Sequence, residues 1–149
     1  MRVAIASDHG GFDQKGAMVD YMASELGCDV TDMGPDTGDS VDYPDYAVKV
    51  AHAVSSGDAD FGVLICGTGI GMAVAADKVP GVRASSITSP AFAELFRQHN
   101  NGNVVCLSGR FVDLETNEQI VKTFLTTDFE GGRHERRVAK ITALDTKEA

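Results

Sequence analysis

The stretch Phe61–Met72, FGVLICGTGIGM, limits the fold more than any other part of this 149-residue chain. Phe61 to Ile65 is a short apolar run with no helical spacing and with an aromatic and β-branched bias. Such a run is a strand buried on both faces, so it demands a sheet that is covered on both sides. Cys66 follows at its carboxyl end. Gly67, Thr68, Gly69, Ile70 and Gly71 then form a glycine-rich turn, and Met72 to Lys78 has the composition of a helix just begun. A turn of this kind aims several backbone N–H groups and the positive end of a helix at one point. That arrangement suits an anion and favours thiolate over thiol at Cys66.

Other glycine motifs match less well. A dinucleotide fingerprint has the spacing G-x-G-x-x-G and an acidic residue after the next strand, whereas these glycines run G-x-G-x-G and the next strand, around Val82 to Ser86, leads into Ile87-Thr88-Ser89. The Gly-Lys-Ser/Thr of a P-loop is missing. The plain alternative is that Cys66 is a buried thiol and the glycines only make a tight turn.

The remainder of the chain alternates strand and helix signals. Arg2–Ser7 is a strand ending at Asp8-His9-Gly10-Gly11, and Phe12, Val19, Met22 and Leu26 mark the inner face of a helix that Gly27 closes. Cys28–Met33 is a second strand, and a helix with Tyr46, Val50 and Val54 begins near Pro44. After the Phe61 strand and its turn comes a fourth strand at Val82–Ile87. Pro90 starts a helix with Phe92, Leu95 and Phe96 inward, ending near His99-Asn100-Asn101-Gly102. Asn103–Leu107 is the fifth strand, a helix beyond Leu114 turns Ile120, Val121, Phe124 and Leu125 inward, and a charged helix ends the chain.

Five short strands separated by helices predict an α/β fold: a Rossmann-like three-layer αβα sandwich with a five-stranded parallel sheet. Strands one and three are expected side by side, with their carboxyl ends forming the switch-point crevice where open α/β sheets bind ligands. Asp8-His9 and Cys66-Gly67-Thr68 then meet there, and this convergence favours a functional Cys66.

Composition narrows the class. An apolar fraction of 43% without a break predicts one domain over residues 1–149. The apolar run in MRVAIASDHGGF is too short for a signal peptide, and no stretch approaches a membrane span. Cys28, Cys66 and Cys106 are odd in number and lack metal-type spacing, so no disulfide framework, zinc site or other metal is expected, and a cytoplasmic location is. A formal charge of −9 opposes nucleic-acid and anionic-membrane partners.

Four motifs in order carry a family resemblance: Asp8-His9-Gly10-Gly11-Phe12, Cys66-Gly67-Thr68-Gly69-Ile70-Gly71-Met72, Arg97-Gln98-His99-Asn100 and Glu130-Gly131-Gly132-Arg133-His134. Over essentially the whole chain it resembles ribose-5-phosphate isomerase type B, a family that includes isomerases of allose and galactose 6-phosphates. Ala73 and Asp77 stand where that family leads one to expect Ser and Asn, and Gly102 where Ala is usual. The resemblance implies a homodimer or tetramer that interconverts an aldose phosphate and a ketose phosphate without metal or cofactor. By resemblance Cys66 is the carbon base and His99 the ring-opening acid, with Asn100 beside it. The N–H groups of Gly67 to Gly71 and the Thr68 hydroxyl would hold the enediolate oxygens, while Asp8 and Tyr43 orient sugar hydroxyls. His9, Arg110, Arg133 and Arg137 match the phosphate and substrate contacts. A segment from about residue 130 would supply arginines and interface.

Local sequence also offers plainer readings, a helix cap at His99-Asn100 and a solvated charged face at Arg133 and Arg137. Three functional alternatives remain in view. One is an isomerase of a six-carbon sugar 6-phosphate. Another is a non-catalytic sugar-phosphate-binding subunit, which the presence of both Cys66 and His99 opposes. The third is a redox-sensing thiol, which lacks a nearby resolving cysteine. Because a crossover helix runs antiparallel to its strands, His99 is expected at the sheet edge opposite Cys66, and so to act in a neighbouring subunit's crevice.

Overall fold

A computed structural model describes residues 1–145. In chain order the elements are β1 (Arg2–Ser7), α1 (Phe12–Ser24), β2 (Asp29–Asp32), α2 (Tyr43–Ser55), β3 (Phe61–Cys66), α3 (Ile70–Ala76), β4 (Ala84–Ser86), α4 (Pro90–Asn100), β5 (Val104–Ser108), α5 (Leu114–Thr126) and α6 (Arg133–Leu144). The strands form a single parallel sheet in the order β2-β1-β3-β5-β4. As expected, β1 and β3 are neighbours, with Val3 opposite Phe61 and Ser7 opposite Ile65.

The layers follow from this winding. The chain steps one way along the sheet from β1 to β2 and from β4 to β5, and the other way from β2 through β3 to β4. Right-handed crossovers therefore put α1 and α4 on one face and α2 and α3 on the other. Two cores result. Leu64, Cys66 and Cys106 lie with Ala47, Val50, Met72 and Ala76. Val63, Ile65, Val105 and Leu107 lie with Met18, Met22, Phe96, Ile120 and Phe124. Successive residues of β3 thus enter opposite cores, which is why its sequence is apolar without alternation. No helix among the described residues is long and apolar enough to cross a membrane.

Two helix faces differ from the sequence reading. In α4 it is Ala93, Phe96 and Arg97 that turn inward, while Phe92 is 62% and Leu95 44% exposed. Arg97 is accommodated because its Nε donates to Thr127 O at 3.0 Å and its Nη1 to Gly102 O at 2.7 Å and Asn101 Oδ1 at 2.9 Å. Its guanidinium also lies 5.0 Å from the Phe61 ring centroid. In α1 Lys15 and Met18 join Met22 inside, with Val19 and Leu26 packed against the same core, and the helix ends at Ser24, before Leu26 and Gly27. The Lys15 stem is buried while Nζ donates to Asp32 Oδ1 at 2.8 Å and Pro35 O at 2.6 Å. Gly102 is also explained, since a Cβ there would overlap the Phe96 ring.

Phe124 has no exposure and touches the rings of Phe61 and Phe96 at centroid distances of 5.3 and 6.0 Å. Phe124→Ala should lower stability by about 3–5 kcal/mol, read as a shift of the urea midpoint at unchanged slope. A loss below about 1 kcal/mol would mean that this core refills the space.

Candidate active site

Three turns meet at the carboxyl ends of β1, β3 and β5, and glycine lets them touch. A Cβ on Gly11 would overlap the Ile65 carbonyl, one on Gly109 would overlap Gly10 O, and one on Gly10 would stand 3.0 Å from Gly67 N. Backbone bonds lock the contact: Asp8 N–H donates to Ile65 O at 3.2 Å, Gly109 N–H to Cys66 O at 2.8 Å and Arg110 N–H to Gly67 O at 3.2 Å. Gly69 has a φ of +81° and packs on the Cys106–Leu107 peptide, with its Cβ position 3.0 Å from Leu107 C. Both the left-handed backbone and the close approach require glycine there.

Cys66, the last residue of β3, is 5% exposed, and its Sγ accepts the Gly69 N–H at 3.1 Å. The other two thiols have different surroundings. Cys106 is fully buried, and burial, reinforced by Asp77 and Cys66, pushes its thiol well up from the ordinary value. Burial also pushes Cys28 up, partly opposed by the amino terminus.

The turn is less open than its sequence suggests. Of the five N–H groups from Gly67 to Gly71, that of Gly69 is given to Cys66 Sγ and that of Ile70 to Thr68 Oγ1 at 3.2 Å. The N–H groups of Gly67, Thr68 and Gly71 are not engaged in these contacts. The Thr68 hydroxyl accepts from Ile70 and keeps its own proton to donate. The Ile70 side chain is exposed.

Around this turn stand most of the expected partners. Asp8 Oδ1 accepts the Gly10 N–H at 2.8 Å, which holds the carboxylate over its own loop. His9 Nδ1 accepts the Val41 N–H at 3.4 Å, so the proton of the neutral ring belongs on Nε2. Tyr43 opens α2 and lies against the start of α3, where a Cβ on Gly71 would overlap its ring. The Arg110 guanidinium covers Gly67, with Nη1 3.3 Å from that residue's Cβ position.

A buried amide network beneath Arg110 was missed in the sequence. Asn117, with no exposure, donates to Ser108 O at 3.0 Å and to Gln14 Oε1 at 2.7 Å. Gln14 Nε2 in turn donates to Val112 O at 2.9 Å. The Ser108 hydroxyl donates to Gly67 O at 2.7 Å and accepts the Phe111 N–H at 3.0 Å. The available signal was Asn117 itself, a polar residue one turn before Ile120 and Val121 on an inward helical face.

His99, Asn100, Arg133 and Arg137 are not part of this cluster. His99 and Asn100 close α4 at the opposite sheet edge, beside Asn101 at the helix cap and Gly102 before β5. Arg133 and Arg137 stand one turn apart on α6, which packs on α4. There the His99 ring stacks on His134, with centroids 4.3 Å apart and planes at 14°. The six residues of β3 separate the two groups by roughly 16 Å.

Comparison with known proteins gives a consistent result. The sequence profile described as Ribose/Galactose Isomerase matches residues 3–141. Ribose-5-phosphate isomerase B of Escherichia coli is 43% identical over 146 residues, covering 98% of this chain and 97% of that protein. The type B ribose 5-phosphate isomerase structure from Trypanosoma cruzi superposes with a TM-score of 0.95 at 43% identity, covering 99% of this chain and 100% of that one. Ribose-5-phosphate isomerase B from Mycoplasma genitalium, solved with bound ribulose-5-phosphate, gives 0.94 at 45% identity over 99% of this chain and 97% of that one.

The three thiol environments predict different reactivities. A small alkylating reagent should label Cys66 faster than Cys28, and Cys106 only on unfolding, as followed by peptide mass spectrometry. Equal rates for Cys28 and Cys66 would remove any special role for the Gly69 contact.

Proposed function

Since the chain belongs to the ribose/galactose isomerase family, we propose that it interconverts ribose 5-phosphate and ribulose 5-phosphate through an enediolate. It is an aldose–ketose isomerase. The observation that carries our reading of its chemistry is the thiol of Cys66 at the end of β3, held by the Gly69 N–H beside a loop with N–H groups to spare.

Isomerisation moves a proton between C2 and C1 while negative charge passes onto the carbonyl oxygen. Cys66 Sγ, which accepts the Gly69 N–H, removes the C2 proton as thiolate. The N–H groups of Gly67, Thr68 and Gly71 and the Thr68 hydroxyl receive the developing oxyanion without reorganising, since the glycine contacts have already fixed them. Asp8 and Tyr43 orient sugar hydroxyls. His9 and Arg110 take the substrate's phosphorylated end together with Arg133 and Arg137, whose i, i+4 spacing puts both on one helical face.

Ring opening needs an acid, and His99 with Asn100 beside it is our assignment. The opposed edges of the sheet keep His99 from its own chain's crevice, so it acts in the crevice of a second copy, as do the α6 arginines. The enzyme is then a homo-oligomer with shared sites, and exposed Phe92, Leu95, Ile70 and Val74 give such an interface apolar surface. The free thiols at Cys28, Cys66 and Cys106 suit the reducing cytoplasm.

A panel of five- and six-carbon aldose phosphates, assayed for ketose formation, tests the substrate. Ribose 5-phosphate should give the highest kcat/KM; preference for a six-carbon phosphate would move the enzyme to the other branch of its family, and inactivity toward all would end the isomerase reading.

Shared sites make a second prediction. Cys66→Ala and His99→Ala homo-oligomers should each be inactive, and co-refolding should restore activity, because one site of a mixed dimer receives both changes and the other receives neither. Random pairing makes about half of the dimers mixed, so about a quarter of wild-type sites return. Mixed dimers seen by native mass spectrometry but without activity would put Cys66 and His99 in one chain's site, or take His99 out of the mechanism.

A further inference from the structure

His134 has no role in the chemistry above, yet it is buried at the far edge. It is 6% exposed, and its Nε2 has no hydrogen-bond partner, the Glu130 Oε1 standing 3.7 Å away. Nitrogen atoms of His99 and His134 and a carboxylate oxygen of Glu130 all lie within 4.8 Å of one another.

This donor set has the composition of a metal site, but the ring geometry opposes one. An imidazole binds an ion in its own ring plane at about 2.1 Å. Two nearly parallel stacked rings, 4.3 Å apart at their centroids, have no such point in common. The stack instead suits a neutral imidazole lying on an imidazolium, whose charge the π face of its neighbour attracts.

We propose that His134 and Glu130 are positioning residues for His99: His134 fixes the plane of the His99 ring by stacking, and Glu130 balances the charge that ring carries as an acid. The inference rests on the reading of His99 as the ring-opening acid. The charged groups at this stack are His99 from α4, Arg133 and Arg137 from α6, and Glu130 from the segment before α6. Burial first, then His99, Arg133 and Arg137, hold the His134 imidazole below its ordinary value, while Glu130 pulls the other way. These groups together disfavour a proton on His134 itself. A second proton in the stack would oppose the one on His99, and two arginines nearby already do so, which makes the carboxylate necessary. The unpartnered Nε2 fits a ring retained for its face.

The test uses the full-length oligomer with ribose 5-phosphate and compares His134→Ala, His134→Phe, Glu130→Gln and His99→Ala. His134→Ala should lower kcat about tenfold or more by misplacing the acid, and His134→Phe, which keeps a flat ring, should recover most of it. Glu130→Gln should act on the pH profile. Removing the carboxylate takes away the negative charge facing the two rings, so the limb of kcat/KM set by this cluster should move to lower pH. His134→Phe should leave that limb within about 0.2 unit of wild type. Loss of activity in both His134 variants alike, or an unmoved limb in Glu130→Gln, would overturn the inference. His99→Ala separates the two ideas. Full activity in that variant removes the reading of His99 itself, whereas an inactive His99→Ala beside a fully active His134→Ala removes only the positioning role.

Discussion

The contact among the turns that follow β1, β3 and β5 is the constraint on which the rest of the molecule depends. Gly10, Gly67 and Gly109 bring three backbones together with no side chain between them, and the bonds from Asp8, Gly109 and Arg110 onto Ile65, Cys66 and Gly67 fix their register. A methyl group at Gly11 or Gly109 would part the turns. The two cores serve this arrangement from below, since residues of β3 that enter both faces leave Cys66 no freedom at the strand end. Cys66 is thus held by backbone geometry at the point where the three turns meet.

Much of this was legible because β3 and its turn state their own environment. A strand that is apolar throughout must be covered twice, and a turn with three glycines in five residues must come close to something. The pairing of β1 with β3 followed from crossover rules, and so did the opposite location of His99. What escaped were residues whose burial depends on a partner distant in sequence. Arg97 turns inward, displacing Phe92 and Leu95, only because Thr127, Gly102 and Asn101 meet its guanidinium. Lys15 is buried because Asp32 and Pro35 receive its ammonium. Asn117 looks like a solvent-facing amide until the Ser108 turn is placed above it. Hydropathy patterns rank side chains singly, and in each of these cases a hydrogen-bonded set is what is buried.

The proposed site residues stand in sequence motifs, and topology supplies their grouping. Asp8, His9, Tyr43, Thr68 and Arg110 surround Cys66, whereas His99, Asn100, Arg133 and Arg137 form a second group at the other sheet edge. In the reading proposed above, a single chain carries two complementary half-sites. The Thr68 hydroxyl and the Gly69 N–H, both singled out as oxyanion donors in the sequence, have internal duties as well, which only coordinates reveal.

The buried Arg97 bears on this division of labour. Its guanidinium ties the last turn of α4 to the chain entering β5 and to the end of α5, under the ring of Phe61. A lysine could reach one of those carbonyls but not present a planar fork to all of them. The turn that bears His99 is consequently tied down by the fold itself, and the entropy of ordering that backbone is spent once, in folding.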